Sequence, residues 1–292
     1  MFGVVLVVVY LGVGWAFRGR LQAGTLSTVA LNIALPALAL RSMHAATAVA
    51  WLELGIVWGI FGVSFLVWRA VGRWRGWSPE RVACLTLTAG LGNTCFVGFP
   101  LLEAYVGAQA LPLAVQIDQL GTFLMMSSVG MAYAARAGGA ARTARQTMLD
   151  LVRFPGLWAT ILGLFLRGVP WPGAFDDALA RVGALLGPLA LVAVGTRLAR
   201  PSRSVAGGVA WGLGFKLGVA PALAFGALKA FGRTGLDVQV TVAEIGMAPA
   251  AMAVLLTLEH DLEPELGAAM ISIGVPVSLW TVWGWVWAVG TG

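Results

Sequence analysis

Two stretches decide how this chain folds: Gly92-Asn93-Thr94-Cys95-Phe96-Val97-Gly98-Phe99-Pro100 and Glu244-Ile245-Gly246-Met247-Ala248-Pro249-Ala250-Ala251-Met252. Each lies in an apolar run long enough to be a membrane helix, and each joins a proline to the few polar side chains such runs contain. Proline lacks an amide donor and crowds the preceding turn, so a helix carrying one in its middle opens. In hydrocarbon the freed backbone groups meet no water. Such a gap persists only where it is buried in protein or lines a cavity. Two gaps placed alike in the two halves of a chain point to the binding site of a transporter.

Composition fixes the class. The 292 residues are 59% hydrophobic and 11% charged, with mean hydropathy +0.86, whereas a soluble domain carries about 25% charged residues. Apolar stretches recur along the chain, most of them near the roughly 20 residues a bilayer crossing needs. They read as ten spans: 2–17, 26–42, 49–68, 81–106, 110–135, 153–169, 175–198, 205–231, 237–258 and 265–289. The chain is an all-α polytopic membrane protein with no room for a soluble domain. The net charge of +6 comes mostly from loop arginines, and no basic stripe interleaves with exposed aromatics, so nucleic acid is excluded as a partner. The first stretch has no basic region before it and no small-residue cleavage site, so it reads as a span and not as a signal peptide. Tryptophans gather at stretch ends, as in interfacial belts. Cys84 and Cys95 are expected as buried free thiols.

Basic residues set orientation. One set of loops holds thirteen arginines, including Arg136, Arg142, Arg145 and Arg153; the other side holds five basic residues. The positive-inside rule puts the richer side in the cytoplasm and both termini outside. The acidic loop 260–265 falls on the basic side, but acidic residues count little for orientation. Three proline pairs, Pro36 with Pro188, Pro100 with Pro249 and Pro112 with Pro264, are separated by 152, 149 and 152 residues. Five spans per half is odd, so the halves enter the membrane in opposite senses as an inverted repeat. The repeats are residues 1–135 and 153–292, joined by a cytoplasmic linker, 136–152.

The candidate site follows from the breaks. The helix is expected to open around residues 93–100, with Asn93, Thr94, Gly98 and Pro100 at the gap. Amides at the start of the second half-helix carry the positive end of its dipole and suit an anion. Asn93 adds an amide that both donates and accepts. The ninth span repeats the design with Gly246, Met247 and Pro249. Glu244 stands just before its break, and a carboxylate at that depth needs a proton, a cation or a basic partner, Lys216 being within reach. Asp118, between Gln116 and Gln119, is a second candidate for the coupling group. Glu53 and Arg41 read as interfacial, and His44 and His260 as solitary loop residues without metal-ligand partners. No metal or phosphate motif and no catalytic signature appears, so the chain is not expected to be an enzyme.

Five segments carry a family resemblance: 31–38 (Leu-Asn-Ile-Ala-Leu-Pro-Ala-Leu), 92–102, 187–195 (Gly-Pro-Leu-Ala-Leu-Val-Ala-Val-Gly), 216–221 (Lys-Leu-Gly-Val-Ala-Pro) and 248–252 (Ala-Pro-Ala-Ala-Met). In this order the chain resembles the auxin efflux carrier family, part of the superfamily of bile acid:sodium symporters. The resemblance implies ten helices in an inverted five-plus-five repeat, with helices 4 and 9 broken and crossing at the midplane. It implies a panel domain of helices 1, 2, 6 and 7, and a transport domain of helices 3–5 and 8–10 that moves as an elevator. It also implies an organic anion as substrate: indole-acetic acid in plants, carboxylates such as malate or malonate in bacteria. The symporter relatives continue their ninth-helix glutamate as Glu-x-Gly-x-Gln-Asn. Here Glu244 and Gly246 match, but Ala248 and Pro249 replace the Gln and Asn that help hold sodium. The coupling ion, H+ or Na+, stays open between Glu244 and Asp118. The plant carriers' motif in the fourth span is absent, so auxin itself is not implied.

The expected function is secondary transport of a small carboxylate across a bacterial-type cytoplasmic membrane, without a cofactor. The alternatives are a sodium-coupled symporter of the bile-acid type and a membrane sensor that binds the ligand without net transport. The partners are the organic anion, the bilayer and, as an open question, a second copy in a homodimer.

Overall fold

Long apolar runs fold as helices because in lipid every backbone polar group must be satisfied within the segment. The computed structural model describes residues 2–139, 143–200 and 202–290; Arg142 lies outside them. Among the described residues the regular structure is all helical, with no strand. In chain order the helices are α1 (Phe2–Ala16), α2 (Ala23–His44), α3 (Trp51–Arg75), α4 (Pro79–Gly90), α5 (94–105), α6 (108–137), α7 (Ala144–Arg153), α8 (Pro155–Phe165), α9 (Gly173–Arg197), α10 (Arg203–Ala230), α11 (Leu236–Ile245), α12 (Ala251–Glu259) and α13 (Pro264–Gly290). Five of them, α2, α3, α9, α10 and α13, are long and apolar enough to cross a membrane. Gly3–Ala16 and Pro155–Phe165 are shorter apolar helices.

Two sets of helices pack among themselves, and α5 touches both, meeting α1 and α9 of the first and α6 and α11 of the second. The C-terminal half of α9 lies along α1, and its N-terminal half packs with α8 on α2. In the other group α3 packs on α4 and α6, while α13 runs beside α10, α11 and α12. The contact of α1 with α9 depends on two glycines. A Cβ on Gly14 would sit 2.2 Å from the Val192 carbonyl oxygen, and one on Gly195 would sit 2.3 Å from that of Leu11. Small residues let membrane helices approach this closely. Gly195→Val is expected to push the pair apart and lower the melting temperature in detergent by several degrees, whereas Gly12→Val, at an open position, leaves it unchanged.

The first break is not where proline alone places it. The fourth apolar stretch opens at Leu91, Gly92 and Asn93, seven residues or more before Pro100. Residues 94–105 are continuous helix that begins with a π turn, Thr94–Gly98, in which the Gly98 amide donates to the Asn93 carbonyl at 2.9 Å. Pro100 follows in the first turn of the α segment, where a missing amide is tolerated. The wider π turn gives its ring room. In the ninth stretch Pro249 does lie in the gap, residues 246–250. The proline match therefore overstates how alike the two breaks are.

Other polar residues find partners distant in sequence. Glu53, in the first turn of α3, is 1% exposed and paired with Arg233 at 3.1 Å. A buried carboxylate needs such a partner. Gln116 does not hold Asp118; it accepts from the Ala50 amide at 2.8 Å and donates to the Ala48 carbonyl at 3.0 Å, fixing the start of α3. Arg41 pairs with Asp176 at 3.0 Å. His44 stacks on Trp171 and reaches the Val169 carbonyl oxygen at 2.8 Å. Arg81 pairs with Glu263 at 2.9 Å, which puts the acidic loop on the same face as a basic one.

Candidate functional site

The two breaks meet. The Asn93 amide donates to the Ala248 carbonyl at 2.7 Å, and the Ala250 amide donates to the Leu91 carbonyl at 3.0 Å, an antiparallel bridge centred on Gly92 and Pro249. Pairing satisfies four backbone groups that a membrane interior would leave bare. It uses up the Asn93 and Ala250 amides. Those of Thr94, Cys95 and Phe96 at the start of α5 have no partner within the helix and keep its positive dipole end.

A cavity of about 260 Å³ opens beside this bridge. From the bridge side it is lined by Asn93, Thr94 and Ala250 to Met252, and from α6 by Asp118, Gln119 and Thr122. From the other helix group come Ser27 and Asn32 of α2, and Arg197 at the end of α9. Phe123 and Phe154, stacked at 4.0 Å, line one wall. The volume falls at the low end for small-molecule sites, about 300–1,000 Å³.

Its polar groups are few and poised. Asp118 is buried; Thr94 donates to one carboxyl oxygen and Gln119 to the other at 2.6 Å. The Asn93 side-chain nitrogen and the Gln119 side-chain oxygen are buried without a hydrogen-bond partner. Arg197 donates to the Ser27 hydroxyl at 3.3 Å, a weak bond for a group with five donors. Such a set can hold an anion: a guanidinium on one side, an amide and helix amides on the other, with Asp118 already occupied by its neighbours.

A second recess is smaller. Gly92, Thr94 and Thr122 also border a space of about 10 Å³, one water in size, enclosed by Glu244, Lys216 and Ile245. Glu244 is 1% exposed and neither carboxyl oxygen has a hydrogen-bond partner. The carboxyl fills the notch left by Gly98, where a Cβ would stand 2.6 Å from its Oε2. Lys216 is equally buried and donates to the Ile245 carbonyl at 2.9 Å.

The other residues expected at the site are spread around it. Gly246 and Met247 are buried outside the cavity lining, and Pro249, part of the bridge, packs on Gly274. Pro100 lines a separate cavity of about 510 Å³ between α1, α2, α5 and α9, with Tyr10, Arg41 and Glu103. That cavity is larger, but its arginine is already paired with Asp176. Two unpartnered buried polar groups, on Asn93 and Gln119, belong to residues that line the smaller cavity, which makes it the better candidate. Sequence reasoning missed Arg197, counted as a loop cation, and Ser27, Asn32 and Gln119. Among the described residues, four of the five π turns carry Asn32, Thr94, Asp118 or Lys216. Such turns gather at functional sites.

Paired backbone breaks and charged groups beside an internal cavity are features of integral membrane transporters. Residues 2–286 match the family described as Membrane transport protein, and the chain belongs to it, the family of the auxin efflux carriers. It is 30% identical over 288 residues to an uncharacterized transporter of Methanothermobacter thermautotrophicus, covering 94% of this chain and 93% of that one. A second uncharacterized transporter, from Methanocaldococcus jannaschii, is 28% identical over 220 residues, 71% of this chain and 69% of its own.

Proposed function

We propose that this transporter carries a small organic anion, a carboxylate, through the cavity beside the Gly92–Pro249 bridge. The observation that carries this reading is the lining of that cavity from two helix groups: Arg197, Ser27 and Asn32 face Asn93, Thr94 and Gln119 across about 260 Å³. The carboxylate lies between the Arg197 guanidinium and the Asn93 amide at the start of α5, where charge-assisted bonds are strongest. The ten apolar stretches form the inverted repeat of two five-span halves, with α4–α5 and α11–α12 as its broken, crossing members. The group of α1, α2, α8 and α9 serves as the panel, and the rest moves against it as an elevator. In that division Arg197 and Asn93 face the cavity from different groups. Both chain ends lie outside, and Glu244 or Asp118 handles the coupling ion.

Uptake by purified protein in liposomes, across a panel of short mono- and dicarboxylates, tests the reading. Carboxylate-specific counterflow is expected, and its absence with folded protein would falsify it. Cys95 lines the same cavity, whereas Cys84 is buried in α4 near the Glu263 carbonyl. In a Cys84→Ser background, the transported anion is expected to slow the reaction of Cys95 with a small methanethiosulfonate at least roughly tenfold at saturation. Equal rates with and without the anion place the substrate elsewhere.

A further inference from the structure

A sodium ion beside Glu244, as in the symporter relatives, needs several oxygen donors around one space. Here the recess offers the Glu244 carboxyl oxygens and the Thr94 and Thr122 side chains, but not the Gln and Asn oxygens of those relatives. Ala248 and Pro249 carry no side-chain oxygen, and the Ala248 carbonyl already accepts from the Asn93 amide. The Ile245 carbonyl, at the C-terminal end of α11, accepts from Lys216. Half-helix ends of this kind are where membrane carriers hold a coupling cation, because the dipole is negative there and carbonyls are free.

We infer that the Lys216 ammonium is a resident cation, held in the place a sodium ion would take, so that this carrier binds no sodium. Three observations converge. The Lys216 nitrogen borders the same water-sized recess as the unpartnered Glu244 carboxyl. It caps the negative end of α11 through Ile245. It reaches the bridge itself, since a Cβ built on Gly92 would lie 3.2 Å from it. The side chain enters from α10 at a π turn, Phe215–Val219, which turns it inward. Asp118 and Cys95 are the other ionisable groups around Glu244, and neither brings positive charge. An ammonium delivers its charge without a site to fill, so the recess between Lys216 and Glu244 holds one water at most. The inference rests on reading Glu244 as the group beside the coupling site.

Sodium binding to the purified protein tests this without a substrate. Wild type is expected to show the same melting temperature in sodium as in choline chloride at equal ionic strength, and no saturable binding of radiolabelled sodium. Lys216→Met leaves the Glu244 carboxyl without a cation and is expected to be less stable in choline and restored by several degrees in sodium. Lys216→Gln, which keeps a donor for the Ile245 carbonyl, covers the case in which the methionine variant does not fold. Adding Glu244→Gln to either variant is expected to abolish the sodium response. Saturable sodium binding by wild type overturns the inference, as does a folded Lys216 variant that stays indifferent to sodium. Carboxylates are assayed on the same preparations, so a failure of the anion reading leaves the sodium result standing by itself.

Discussion

Arg197→Gln is expected to weaken carboxylate binding by roughly 10- to 150-fold, the effect of losing one charge-assisted hydrogen bond of about 1.5–3 kcal/mol. The guanidinium stands at the end of α9 with the Ser27 hydroxyl as its hydrogen-bond partner, at 3.3 Å. Most of its donors are therefore available to a ligand. Because it faces the cavity from the opposite helix group to Asn93, its loss removes one jaw and leaves the bridge and α5 untouched. The fold is expected to tolerate the change: the residue is partly exposed, and glutamine still bonds Ser27. The measurement is a carboxylate titration by thermal shift, with transport KM alongside. Arg197→Lys separates charge from shape, since a lysine restores the charge and not the planar fork. Unchanged affinity in Arg197→Gln would sink the assignment of the anion to this cavity.

The second large effect is expected at Glu244. Glu244→Gln keeps the volume that fills the Gly98 notch and removes the one carboxyl beside Lys216. The carboxyl makes no hydrogen bond and Lys216 keeps its bond to the Ile245 carbonyl, so the variant is expected to be expressed and folded. Downhill exchange of the carboxylate continues, because the substrate cavity is lined by other residues. Uphill accumulation driven by a proton gradient is expected to fall at least tenfold, about 1.4 kcal/mol of lost coupling. The check is paired: counterflow and gradient-driven uptake on the same liposomes. Should the variant accumulate substrate as wild type does, Glu244 is structural and Asp118 becomes the coupling group.

How much of this was legible without coordinates depends on the range of each interaction. The apolar runs are local, and helices fall on each of them, with ends such as Ser78, the cap of α4, marked by their own chemistry. The prolines announced two breaks, but Pro100 only shares a helix with the first. Proline sets what cannot happen at its own amide, and the π turn with Gly98 met that demand without a gap. Asn93, Thr94 and Asp118 stood out because polar groups at membrane depth are rare. Arg197 did not, because an arginine at a span end reads as a snorkelling loop cation; only the approach of α9 to α5 makes it a ligand. The pairing of Lys216 with the end of α11, and of Glu53 with Arg233, are contacts between distant segments that no local pattern encodes. The π turns themselves have no sequence signature.

The two hydrogen bonds across the breaks also settle which joint cannot give. Prying Asn93 from Ala248 and Ala250 from Leu91 would strand four backbone groups, each costing several kcal/mol in a dry interior. The broken helices are thus stitched into one piece. The opposite wall of the cavity, where Arg197, Ser27 and Asn32 face that piece, is made of side chains, whose contacts can part and re-form without stranding any backbone group.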